Sequence, residues 1–236
     1  ELATREFFRW RNPEADADAL VDAIIDWLDT GDGDAVEPSG AEMDYYQGLE
    51  IPYPCKNGFF DSVEELLLVK GMTPELYFGD PELAERTEDG AAQLPLSEFF
   101  TVHGDWEGKI NVNTAPRDVL LAVFTALQQR EGVLRPDVDP KELADSLVYQ
   151  HQFGDDEVPP VPMYNVRDEL LPFFQAGGNQ RQGRNNVAQP PQVNQQNIAD
   201  SDLVSEPGFY FRSNSYVFRV LGDGLMNDTM VRIEAY

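Results

Sequence analysis

Apolar positions follow helical spacing along the first part of this chain and alternate in its last part. From Leu2 to Arg11, Phe7, Phe8 and Trp10 lie among Arg5, Arg9 and Arg11, which predicts a short helix with one apolar side, ended by Asn12-Pro13. From Ala15 to Leu28, the residues Ala17, Leu20, Val21, Ile24, Ile25 and Leu28 predict a second helix, with Asp16, Asp18 and Asp22 on its wet side. Ile51 to Gly58, with Pro52 and Pro54, reads as an ordered, extended connector. Ser62 with Glu65 predicts a capping box before Leu66, Leu67, Leu68 and Val69, and Gly71 a stop. Thr73-Pro74-Glu75 opens a short helix through Leu76 and Phe78.

Lys109 to Asn113 predicts a short extended piece, with Thr114 capping a helix from about Ala115 whose Val119, Leu120, Val123, Phe124 and Leu127 face inward. Further helices are expected from Pro140 through Val148 and from Val166 to Phe174. Period-two alternation then takes over at Phe209, Phe211 and Val217 to Val220, and again from Thr229 to Tyr236, with Gly222-Asp223-Gly224 as the turn. The fold class is α+β: a helical domain over 1–174, a Gln/Asn-rich mobile loop over 175–204, and an antiparallel β part over 205–236.

Charge changes this picture in one place above all. Asp26, Asp29, Asp32, Asp34, Glu37, Glu42 and Asp44 crowd one stretch with no Lys or Arg among them, while Gly31, Gly33, Pro38 and Gly40 supply turns. Asp26 and Asp29 also fall in the last turn of the second helix, where the macrodipole disfavours carboxylates by some tenths of a kcal/mol. Either the run is a solvated acidic surface loop or a cation holds it together. Oxygen ligands and Gly-rich spacing suit calcium, although D-T-G-D-G-D-A-V-E lacks the closing Glu of an EF-hand.

The whole chain is acidic, with 43 Asp and Glu against 17 Lys and Arg and a formal charge of -26, which opposes nucleic acid or an anionic membrane as partner. Cys55 is the only cysteine, so an internal disulfide and a cysteine-built zinc site are excluded. No apolar run approaches the roughly 20 residues of a membrane helix.

Two other functions compete. His103 and His151 lack a local nucleophile motif, and Asp29 with Glu42 form only a nominal acid-base pair, so a metal-dependent hydrolase is the weaker reading. L-L-L-V-K-G-M (66–72) followed by I-N-V-N-T-A (110–115) has pieces of a helix-hairpin-helix module, which binds DNA phosphates. Here Pro74 deletes a backbone donor and Glu75 adds a repelling charge, so a packing scaffold is favoured.

D-W-L-D (26–29), P-S-G-A-E-M-D-Y-Y (38–46), V-E-E-L-L-L-V-K-G-M (63–72), K-I-N-V-N-T-A-P-R-D-V-L (109–120) and S-N-S-Y-V-F-R-V (213–220) occur in that order. Together they closely resemble the large minor pseudopilins K of bacterial type II secretion systems. The resemblance implies a helical domain inserted in a pilin-like α/β fold, calcium on the acidic motif, and no enzymatic activity. It also implies a place at the pseudopilus tip, on the periplasmic side of the inner membrane, beside the minor pseudopilins I and J. Secreted substrates or the outer-membrane secretin are further partners it suggests. Met43 stands between Glu42 and Asp44 where the family has the acidic residue directly after the Glu, so Asp29 and Glu42 fit the motif more closely than Asp44. The family's apolar N-terminal helix is expected to lie outside this chain, leaving an exposed apolar sheet face drawn from Phe209, Phe211, Val220 and Ile233.

Overall fold

The computed structural model describes residues 1–13, 15–29, 36–79, 94–104, 108–130, 133–155, 157–175, 206–215, 220–226 and 229–235. The chain divides into two compact units: Glu1–Gly104 with Pro116–Val123 and Val217–Tyr236, and Asp105–Ala115 with Phe124–Tyr216.

The first unit opens with α1 (Leu2–Arg11) and α2 (Ala17–Leu28). Asp16 caps α2 by accepting from the Ala19 N–H at 3.0 Å, satisfying one of the donors a helix start leaves open. Phe7 and Phe8 of α1 and Leu20 and Val21 of α2 are buried in one apolar cluster with Leu66, Leu76, Tyr77 and Leu96. Asp22 departs from the expected wet side: it is 5% exposed, because one oxygen takes Arg5 and the other the Ser39 N–H. A carboxylate can be buried at that cost when both oxygens are bonded.

The short α3 (Met43–Gln47) follows and buries Tyr46. The connector after it is ordered as expected and closes the end of α2. The Cys55 thiol points at the Asp26 carbonyl at 3.8 Å, and the Gly58 N–H donates to the Trp27 carbonyl at 3.2 Å. The helix expected from Ser62 is a 3-10 helix, Val63–Leu68, without a side-chain cap at Ser62. Glu65 accepts the Asp61 N–H and takes Lys56 as well, but the Ser62 hydroxyl caps nothing, so the capping box does not close. Gly71, at φ 85, turns the chain toward α4 (Pro74–Phe78), where Thr73 Oγ1 accepts from the Leu76 N–H.

In the second unit Ile110–Asn111 (β1) pairs with Phe211–Arg212 (β2), and the pairing is parallel rather than antiparallel. Phe209 lies in a helical turn, Pro207–Tyr210, and not on a strand. Phe211 is 2% exposed with its ring 5.2 Å from that of Phe124, so it contributes nothing to an exposed sheet face. Asn113 ties this unit together: its amide donates to the Met163 and Ser213 carbonyls and accepts the Met163 N–H. Thr114 is not a cap, because Ala115 bonds back to Asn111 and the next helix is Arg117–Gln129, entered through Pro116. The helix expected from Pro140 is Pro140–Val148, capped by Asp139, and it runs on into a π-helical turn, Tyr149–Phe153. Val166–Leu170 continues as a 3-10 turn, Leu171–Phe173.

An antiparallel hairpin is present where alternation predicts it, as β3 (Val220–Met226) and β4 (Thr229–Ala235), with Val220 opposite Ala235. Gly222-Asp223-Gly224 is within β3, not a turn, and the pairing runs on to Met226 opposite Thr229. The Gln/Asn-rich loop lies outside the described residues.

Candidate cation site

The site is assembled by the end of α2 and the return of the chain at 36–42. Asp26 lies in the last turn of α2 and Asp29 is its C-cap, while Glu42 is the N-cap of α3. One carboxylate oxygen from each lies within 4.8 Å of the other two. Ca–O bonds of about 2.4 Å place ligand oxygens up to about 4.8 Å apart, so the spacing fits a shared calcium ion.

Asp26 is the centre of the arrangement. Its side chain is 0% exposed; Oδ1 accepts from the Glu37 N–H at 3.0 Å, and Oδ2 is buried with no hydrogen-bond partner in the structure. A buried carboxylate oxygen left without a partner costs several kcal/mol, a cost a cation removes. Burial pushes the Glu42 carboxyl above its usual range, and the charges of Asp29 and Asp26 push it the same way. Carboxylates that repel one another in this way favour a cation among them.

Contacts outside the three clustered carboxylates also hold the loop in place. Asp22 takes the Ser39 N–H, and Lys70 Nζ donates to the Ser39 and Gly40 carbonyls at 3.1 and 2.8 Å while lying over the Tyr45 ring. Gly40 is required by contact: a Cβ there would stand 1.8 Å from Asp26 Oδ2. Behind the site Trp27, Tyr46, Cys55 and Val69 form a separate apolar cluster, with Trp27 edge-on to Tyr46 at 5.1 Å. Burial pushes the Tyr46 phenol up to about 12, so it stays neutral and accepts the Lys70 N–H.

Of the residues singled out in the sequence, Asp26, Asp29 and Glu42 converge. Glu37 contributes its backbone N–H to Asp26 rather than a carboxylate to the cluster, and Asp44 is exposed on the first turn of α3. Asp32 and Asp34 lie outside the described residues. Sequence reasoning misses Asp22 and Lys70 and gives Gly40 only as a turn residue; the four-residue step from Asp22 to Asp26, which puts both on one helix face, is the available signal for Asp22. His151 is bound elsewhere, its Nδ1 2.6 Å from the Val161 carbonyl.

Fold and site define a small acidic helical domain folded around a carboxylate cluster. A family model described as "Type II secretion system (T2SS), protein K" matches residues 8–78, a span that contains the whole cluster. The type II secretion system protein K of Aeromonas hydrophila is 45% identical over 58 residues, covering 25% of this chain and 17% of that protein. Over these residues the chain is similar to the type II secretion system protein K family, and the match spans less than a fifth of that relative's length. Among the described residues no helix is long and apolar enough to cross a membrane.

Proposed function

We propose that the chain acts as a non-enzymatic structural subunit, a minor pseudopilin of type II secretion, and that calcium at Asp26, Asp29 and Glu42 stabilises it. In this reading it works in protein secretion at the pseudopilus tip, on the periplasmic face of the inner membrane, beside the minor pseudopilins I and J. Secreted substrates and the outer-membrane secretin are the further partners to test. The family-model match over residues 8–78 supports the place, and one observation carries the metal: Asp26, whose buried Oδ2 has no partner, has a carboxylate oxygen within 4.8 Å of one from each of two more carboxylates. Calcium supplies two positive charges that offset most of the charge of the three carboxylates, and ties the end of α2 to the start of α3. The hydrolase reading is disfavoured, since the cluster consists of carboxylates alone and its central member is fully buried.

The test is thermal unfolding of the chelator-treated chain titrated with calcium. At a hundred times Kd a ligand bound only by the folded state adds about 2.7 kcal/mol, here a rise in Tm of about 5–10 °C. Glu42→Gln removes a repelling charge, so without calcium it should be at least as stable as the parent, yet gain little when calcium is added. An unchanged Tm in the parent, or a full calcium response in Glu42→Gln, refutes the site.

A further inference from the structure

The second unit carries a feature that neither the cluster nor the family match explains. Residues Glu157-Val-Pro-Pro-Val-Pro162 are all exposed, Val158 at 57% and Val161 at 61%, and the aromatic residues on either side, Phe153 and Tyr164, are 74% and 81% exposed. Proline fixes φ near −65° and pushes the residue before it toward extended backbone. With prolines at 159, 160 and 162, each residue from Pro159 to Pro162 is a proline or precedes one, which favours polyproline-II backbone over this stretch, between bends at Glu157-Val158 and at Tyr164.

The segment is also tied down. Asp155 Oδ1 accepts the Glu157 and Val158 N–H groups, the Val161 N–H donates to the Gln150 carbonyl, and His151 Nδ1 meets the Val161 carbonyl. Beyond it Met163 is 1% exposed and locked to Asn113 by hydrogen bonds in both directions. Gly154 lies so close beneath that a Cβ there would meet the Val158 carbonyl at 2.4 Å and Pro160 N at 2.6 Å. An apolar run that its own fold braces at both ends and yet leaves in water has its conformational entropy already spent, which favours binding.

We propose that residues 159–162, with the exposed Phe153 and Tyr164 on either side, are a polyproline-II ligand for an aromatic-lined groove with a basic rim on another protein. Proline's missing N–H rules out addition as a strand to a sheet edge, whereas grooves of parallel aromatic rings take this backbone shape with prolines seated between them. Asp155 and Glu157 at the leading end, on a chain of formal charge -26, call for cationic groups beside that groove. The same charges oppose a second copy of this chain and an anionic lipid surface.

The secretion reading enters only in the choice of probes. The soluble parts of the I and J minor pseudopilins and of the secretin are titrated calorimetrically, one at a time, against the full chain and against its Pro159→Ala/Pro160→Ala/Pro162→Ala variant. One probe should bind the parent and lose at least tenfold on the triple variant, and Glu157→Lys should weaken it as well. If the triple variant has a lowered Tm, Phe153→Ser replaces it, with the same loss expected. Equal binding of every probe to parent and variant overturns the proposal while leaving the pseudopilin reading intact; no binding of any probe to the parent overturns both. Self-association of the parent alone that disappears in the variant makes the occupant a second copy and also refutes it.

Discussion

Asp26 has one oxygen bonded to the Glu37 N–H and one with nothing to accept, and most of the site's chemistry follows from that imbalance. Glu65 shows the opposite condition. Burial by itself would raise its carboxyl, but hydrogen bonds from Lys56 and from the Asp61 N–H hold it below the usual carboxylate range. A depressed folded value means the unfolded chain takes up the proton first as pH falls. The contribution of Glu65 is therefore complete above the ordinary Glu range and lost as pH drops from about 5 through that range to its folded value. Glu65→Gln should be less stable than the parent at neutral pH and should lose less stability between about pH 5 and 3; parallel pH profiles for the two would show that the ion pair contributes nothing. Residue type and spacing alone make Asp26, Asp29 and Glu42 legible as candidates. Asp22 is not, because its position among polar helix residues says nothing of the Ser39 N–H and Arg5 that bury it.

At the scale of elements, α1 and α2 are readable because amphipathic periodicity over ten or more residues has few alternatives. The pair β1–β2 is not. Two-residue strands have no period, and Ile110 finds its partner at Phe211, so pairing depends on the tertiary fold alone. Arg11 shows how α1 is fixed to its neighbours. It is 3% exposed, and its guanidinium donates to the Leu76 carbonyl at 2.7 Å and to the Leu94 carbonyl, with the Phe99 ring 5.7 Å away. Burial pulls its pKa down to about 10, which leaves it charged at neutral pH. Arg11→Met would keep the apolar stem but strand both carbonyls, and should cost about 3 kcal/mol, read by denaturant midpoint. Arg11→Lys should fall between parent and Met, since an ammonium lacks the planar fork that reaches two carbonyls at once. A methionine variant as stable as the parent would mean that the guanidinium does not hold α1, α4 and residue 94 together.

For the molecule as a whole, net charge and the hairpin at Lys70-Gly71 make opposing claims about nucleic acid, and the hairpin's own hydrogen bonds bear on which prevails. A phosphate-binding hairpin needs open backbone donors and an available cation at its tip. Here Lys70 Nζ is engaged by the Ser39 and Gly40 carbonyls, and the Lys70 N–H is spent on Tyr46. The Met72 N–H donates to the Val69 carbonyl, Pro74 has none to give, and Glu75 stands in the first turn of a five-residue α4. Against a formal charge of -26, approach of a duplex is repelled at long range, most strongly when salt is low. Fluorescence anisotropy with a labelled duplex at about 50 mM salt should therefore show no binding tighter than about 10⁻⁴ M, the weak limit of non-specific affinity. Low salt is the condition in which any phosphate contact would be strongest, so it gives the competing reading its best chance. Sub-micromolar binding that weakens as salt rises would overturn the scaffold role given to the hairpin.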